Sequence, residues 1–197
     1  MPTASEQLDG WLSGDGEKTL GGLIATFEEK SFALLFIILM GVPALPLPTG
    51  GATHVFEVIT MLLALQLIAG RERIWLPERW QRLTLAGGSR EKFITKLMSV
   101  VRWLERRSKR RLGFLFGHRL SGVVFGLLVL GGTVAAFLAP PFSGLDTLPS
   151  LGVVLLSLAL LMEDAALAVA GVLVGAAGVL LEFLLGSAIV DGVGRLL

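Results

Sequence analysis

No cysteine occurs in the 197 residues, so neither disulfides nor thiolate metal sites are available. Only two histidines are present, His54 and His118, and their spacing suggests no metal site. Phosphate-loop, HExxH and nucleophile-elbow patterns are missing as well. The sequence therefore predicts no enzyme, no cofactor and no metal. The acidic N-terminus has no basic stretch ahead of an apolar run, which argues against a cleaved signal peptide. What is abundant is apolar sequence. With 53% hydrophobic residues and a mean hydropathy of +0.76, the composition is that of a polytopic membrane protein.

A net charge of +1 conceals a strong asymmetry. Of the 17 Lys and Arg, 14 lie between Arg71 and Arg119, against four acids there (Glu72, Glu78, Glu91, Glu105). That segment carries about +10 and the remainder about −9. Such a Lys/Arg excess places a loop in the cytoplasm, and Trp75 and Trp80 suit headgroup depth. Residues 90–111 read as a basic amphipathic helix with Phe93, Leu97, Val101 and Leu104 along one stripe. It would lie in the interface and attract anionic lipid. Nucleic acid is not expected as a partner, because both flanks are apolar membrane segments.

The chain is organised around residues 42–77. Pro43, Pro46 and Pro48 run into Thr49-Gly50-Gly51, so no helix continues through this stretch. An apolar helix from about Thr53 to Gly70 follows, ending at Arg71, Arg73 and Trp75. Residues 31–40 are apolar but reach Pro43 too soon for a full span, which predicts partial insertion and a turn back. The same design recurs 93 residues later: Pro48 falls on Pro141, Gly51 on Gly144 and Leu62 on Leu155. The face Thr53, Glu57, Thr60, Ala64, Arg71 falls on Asp146, Ser150, Val153, Ser157, Asp164. This points to an internal duplication.

The run PLPTGG, then ALQLIAGRERIWLP, then LLSLALLMEDAALAV resembles the ExoD family of bacterial exopolysaccharide-synthesis membrane proteins, over roughly Leu20 to Leu185. Ala44 and Ile74 depart from the family pattern, which has asparagine and proline there. The resemblance implies a role in exopolysaccharide production and implies no particular reaction.

The expected architecture is all-α and forms one membrane domain. Residues 1–30 are a polar segment and an amphipathic helix, 31–70 a first hairpin and 71–119 the basic segment. Residues 120–162 form a second hairpin and 165–190 a fifth membrane helix. The charge bias predicts an inner-membrane protein with a cytoplasmic N-terminus and two parallel Pro/Gly-broken hairpins related by an axis near the membrane normal. Gly122 and Gly126, with Gly171, Gly175 and Gly178, give close-packing faces that also leave room for a homodimer.

Ionisable residues within apolar helices are the candidate site. Glu57 lies one turn into its helix, and His54, three residues earlier, can share a proton with it; both can equally sit at a wet loop mouth. Glu182 is either a proton carrier or a solvated end residue. Backbone N–H groups around Thr49, Gly50, Gly51 and Thr53 suit a phosphate or carboxylate. With His54, Glu57, Arg71, Arg73, Asp146 and Asp164 they form the expected substrate-binding set. Arg71 and Asp164 are expected to pair across the pseudo-twofold. The function expected is transport or handling of an anionic lipid-linked intermediate. The rivals are a proton- or cation-coupled transporter and a non-transporting scaffold for polysaccharide-assembly proteins.

Overall fold

The computed structural model describes residues 10–11, 13–14, 18–27, 31–45, 53–71, 73–84, 99, 102–103, 119–140 and 143–194. Among them there are seven helices and no strand: α1 (Leu20–Phe27), α2 (Ser31–Gly41), α3 (His54–Ile68), α4 (Glu78–Gln81), α5 (Arg119–Leu138), α6 (Thr147–Met162) and α7 (Ala165–Gly194). The Thr49-Gly50-Gly51 break, His118 and the basic 90–111 segment, apart from 99 and 102–103, lie outside the described residues.

α2 is the centre. Its sequence SFALLFIILMG is apolar all round, and all 11 residues are buried, as such a helix requires. α6, α3 and α1 enclose it; α1 turns Leu20, Leu23 and Phe27 inward. α3 lies along α5, and close backbone approach is possible because Gly126 has no side chain. A Cβ there would stand 2.6 Å from Ile68 Cγ1 and 3.2 Å from Ala64 O. At the other end of the same pair His54 meets Phe137, so α3 and α5 are antiparallel. α6 also runs against α5: Gly132 faces Val153, and Phe125 clusters with Leu156 and Ala159. It follows that α3 and α6 run parallel to each other.

Glycine decides the α6–α7 contact too. A Cβ on Gly152 would be 2.6 Å from Gly175 Cα, and one on Gly178 would be 2.6 Å from Pro149 Cδ. The glycine faces of α5 and α7 are thus used inside the chain, against α3 and α6.

α3 and α6 also end alike. Gly70 has φ +72 and Glu163, 93 residues on, has φ +53. Arg71 N–H donates to Gln66 O at 3.0 Å, as Asp164 N–H does to Ala159 O at 3.1 Å. Both are left-handed terminations that satisfy otherwise free carbonyls. The buried positions of α3 (Glu57, Ile59, Thr60, Leu63, Ala64, Gln66) correspond, at the same offset, to Ser150, Gly152, Val153, Leu156, Ser157 and Ala159, all buried in α6.

Among the described residues two helices reach spanning length, Ser121–Leu138 and Ala165–Leu185, and α2 falls short as the sequence led one to expect. α2, α3 and α6 have 11, 15 and 16 residues; α3 and α6 are each stopped by a left-handed residue. The long helices turn apolar side chains outward, including Leu138, Leu173 and Phe183, which is 77% exposed. Apolar surface of this extent marks a membrane-associated protein. α7 continues to Gly194, past the expected limit of 190, because 186–194 contains no proline and isolated glycines only weaken a helix.

The segment after α3 is tied back by Gln66. Its Nε2 donates to Trp75 O at 2.8 Å and its Oε1 accepts from Trp75 N–H at 2.7 Å. Leu76 can then be buried at 2% exposure while Trp75 stays 55% exposed. Gln66→Ala leaves both backbone groups without this partner, and a loss of about 1–3 kcal/mol is expected. The thermal midpoint should fall, and fluorescence anisotropy of Trp75, read with the other tryptophans replaced, should drop.

Candidate functional site

The first turn of α3 carries the chemistry. His54 and Glu57 are three apart and so share a helix face. His54 Nδ1 stands 2.7 Å from Glu57 Oε2. Glu57 is fully buried at 0% exposure, beside the N-terminus of its helix, where a carboxylate is favoured. Its Oε1 has no hydrogen-bond partner among the described residues. The buried Thr53 at the N-cap contributes to holding the same carboxylate. The His54 side chain is 34% exposed, and its ring centroid is 4.9 Å from that of Phe137 on α5. One proton is held between the two groups: either Nδ1–H donates to the carboxylate, or the protonated carboxyl donates to Nδ1.

α6 begins at the same end. Asp146 is its N-cap residue but makes no side-chain capping hydrogen bond. Its carboxylate instead stands within electrostatic reach of His54, Glu57 and Glu182. Burial pushes the Asp146 carboxyl above its ordinary value, with His54 among the groups that oppose the shift. α7 is brought to this point by Gly178, whose missing Cβ lets Leu148 and Pro149 close in. Glu182 lies one turn further along the same face of α7, and its Oε1 is likewise buried without a partner. Among the described residues no three His, Asp or Glu are close enough to hold a metal ion.

The structure thus gathers Thr53, His54, Glu57, Asp146 and Glu182 at one end of the bundle. Arg71 and Arg73 are exposed at the other, about 22 Å away along the 15 residues of α3. Asp164 lies at that second end, yet the expected pair is not formed. Among the described residues no ion pair joins it to Arg71. Asp164 is buried, and its Oδ1 accepts from Ala166 N–H at 2.9 Å, as an N-cap of α7 does. Capping turns it into the helix junction while Arg71 points to solvent. Two contributors were not singled out from sequence. Phe137 gave no signal; Ser150 did, since it occupies in α6 the place of Glu57 in α3.

A family model described as "Exopolysaccharide synthesis, ExoD" matches residues 4–184. An uncharacterized protein of Synechocystis sp. is 29% identical over 154 residues, covering 78% of this chain and 72% of that protein. Protein ExoD of Rhizobium meliloti is 28% identical over 154 residues, covering 78% of this chain and 64% of that protein. The chain therefore spans just under two thirds of the Rhizobium protein's length. No solved structure matches.

Proposed function

The chain belongs to the ExoD family of exopolysaccharide-synthesis proteins, and on that premise we propose that it is an inner-membrane transporter whose cycle is driven by protonation of the His54–Glu57 pair. The carrying observation is Glu57: fully buried, bonded to His54 through one oxygen and unpartnered at the other. A buried carboxylate among apolar helices is expensive and is retained where it moves charge. Asp146 and Glu182 add negative charge at the same end, which suits a proton and opposes an anionic substrate there. The likeness of α3 and α6 in bounds, caps and buried positions supports an internal duplication, with parallel halves related by an axis near the membrane normal.

A second reading is favoured by the opposite end. Arg71 and Arg73 are exposed beside an exposed Trp75, a combination suited to a lipid phosphate at headgroup depth. An anionic lipid-linked intermediate would be gathered there, on the cytoplasmic side, while protons act at the far end. The two readings are compatible because the ends are separate.

Glu57→Gln keeps the volume and a hydrogen bond to His54 but cannot titrate. In a strain lacking the endogenous gene, this variant should reach the membrane at normal level and leave exopolysaccharide at the deletion level. Glu57→Asp should retain part of the output. Wild-type output from the Gln variant would remove the proton from the mechanism and leave the scaffold as the better account.

A further inference from the structure

Three side-chain oxygens among the described residues are buried without a hydrogen-bond partner: Glu57 Oε1, Ser150 Oγ and Glu182 Oε1. Buried polar atoms are almost always paired with protein or ordered water, so each needs a reason. They come from three helices, α3, α6 and α7, yet all lie at one end of the bundle. Ser150 is 0% exposed and stands four residues beyond Asp146, directly above it on the same face of α6, with its N–H donating to Asp146 O at 3.1 Å. Glu182 lies on the α7 face that Gly178 holds against Leu148 and Pro149. Asp146 is within electrostatic reach of Glu182 and also of Glu57 and His54.

Burial grades along this series. Glu182 and Asp146 are half-buried, whereas Glu57 is fully enclosed. The remaining walls are silent: α2 has no ionisable side chain, and α5 carries only Arg119 at its far end. From α7 the facing acid is Glu182, from α6 Asp146, and from α3 His54. Among the described residues, a proton reaching Glu57 from this end of the bundle therefore meets carboxylates and one hydroxyl, with His54 as the one basic group beside them.

We propose that Glu182, Asp146 and the Ser150 hydroxyl form a proton inlet that delivers to Glu57. This rests on the reading of Glu57 as the proton acceptor. Glu182 takes a proton from the aqueous phase and passes it to Asp146, and Asp146 passes it to Glu57, each donor returning to its carboxylate. Water bridges the gaps between these groups, and Ser150, which both donates and accepts, continues the chain of hydrogen bonds. Only O–H bonds form and break, and one proton is moved per passage. Glu182 and Asp146 are positioning and relay groups; Glu57 and His54 hold the proton.

The test needs no transport substrate. Full-length protein in vesicles of phosphatidylethanolamine and phosphatidylglycerol is taken through a rapid drop in pH, and the carboxyl C=O infrared band absent from Glu57→Gln is followed in time. Glu182→Gln should slow the rise of that band on the order of 100-fold, the scale of a lost proton-transfer group, without changing its final amplitude. Imidazole added as a small proton carrier should restore the rate, as should Glu182→Asp in part; Ser150→Ala should slow it less. An unchanged rate in Glu182→Gln, or slowing that neither imidazole nor Glu182→Asp relieves, would overturn the inlet while leaving Glu57 as the acceptor. If no band depends on Glu57 at any pH, the proposed function falls, and the inlet with it.

Discussion

Gly152→Val should be the most disruptive single substitution in the chain. A Cβ at this position would lie 2.6 Å from Gly175 Cα, 2.7 Å from Gly175 N and 3.0 Å from Gly171 O. These are backbone atoms, so no rotamer change can relieve the clash, and α6 and α7 must separate. Overpacking of this kind costs about 3 kcal/mol or more. Purified protein should show a fall in unfolding midpoint and loss of the monodisperse form. Two controls sharpen the reading. Gly175→Ala meets nothing nearer than 3.7 Å, and Gly131→Ala meets nothing within 4 Å. Gly131→Ala should be neutral or stabilising, since alanine is the better helix former by about 1 kcal/mol. Equal tolerance at all three positions would show that α6 and α7 do not approach as described.

The second large effect concerns His54. His54→Ala strips Glu57 of its 2.7 Å partner and leaves a fully buried carboxylate without its imidazole. Breaking a buried pair from one side costs about 3–5 kcal/mol, whereas replacing both members by apolar groups is often near neutral. The double variant His54→Ala/Glu57→Leu should therefore be more stable than His54→Ala alone, with a coupling of about 1–3 kcal/mol in the cycle. Additive losses would mean that the pair carries no shared energy. Stability and output should separate in the double variant: a folded protein without exopolysaccharide.

Much of this was legible in the sequence because it is written in local spacing. Helix limits follow from glycine at 70 and the prolines ahead of it; α3 falls within two residues of the expected 53–70, and α6 ends at the expected 162. The His54–Glu57 contact is an i,i+3 relation and needs no tertiary knowledge. What could not be read depends on how helices cross. The approach of Asp146 and Glu182 to Glu57 is set by glycine contacts between α5, α6 and α7, and glycine positions do not say which helix fills the gap. The Arg71–Asp164 expectation failed for a local reason: an aspartate directly before a helix is used first by that helix. Gly126 and Gly178 could be read as close-packing positions, whereas α3 and α6 as the helices that fill them could not.

The enclosure of α2 constrains how the protein can be made. α2 is among the first apolar segments to leave the ribosome, and at 11 residues it is about 17 Å long, too short to settle across a bilayer by itself. Its principal neighbour α6 is synthesised more than a hundred residues later. Until α6 arrives, one side of α2 has lipid, chaperone or translocon where protein will be. An apolar helix translated early thus acquires its final surroundings only after a much later one has emerged. Truncation of a nascent chain before residue 147 would leave α2 without the α6 wall that encloses it in the folded bundle.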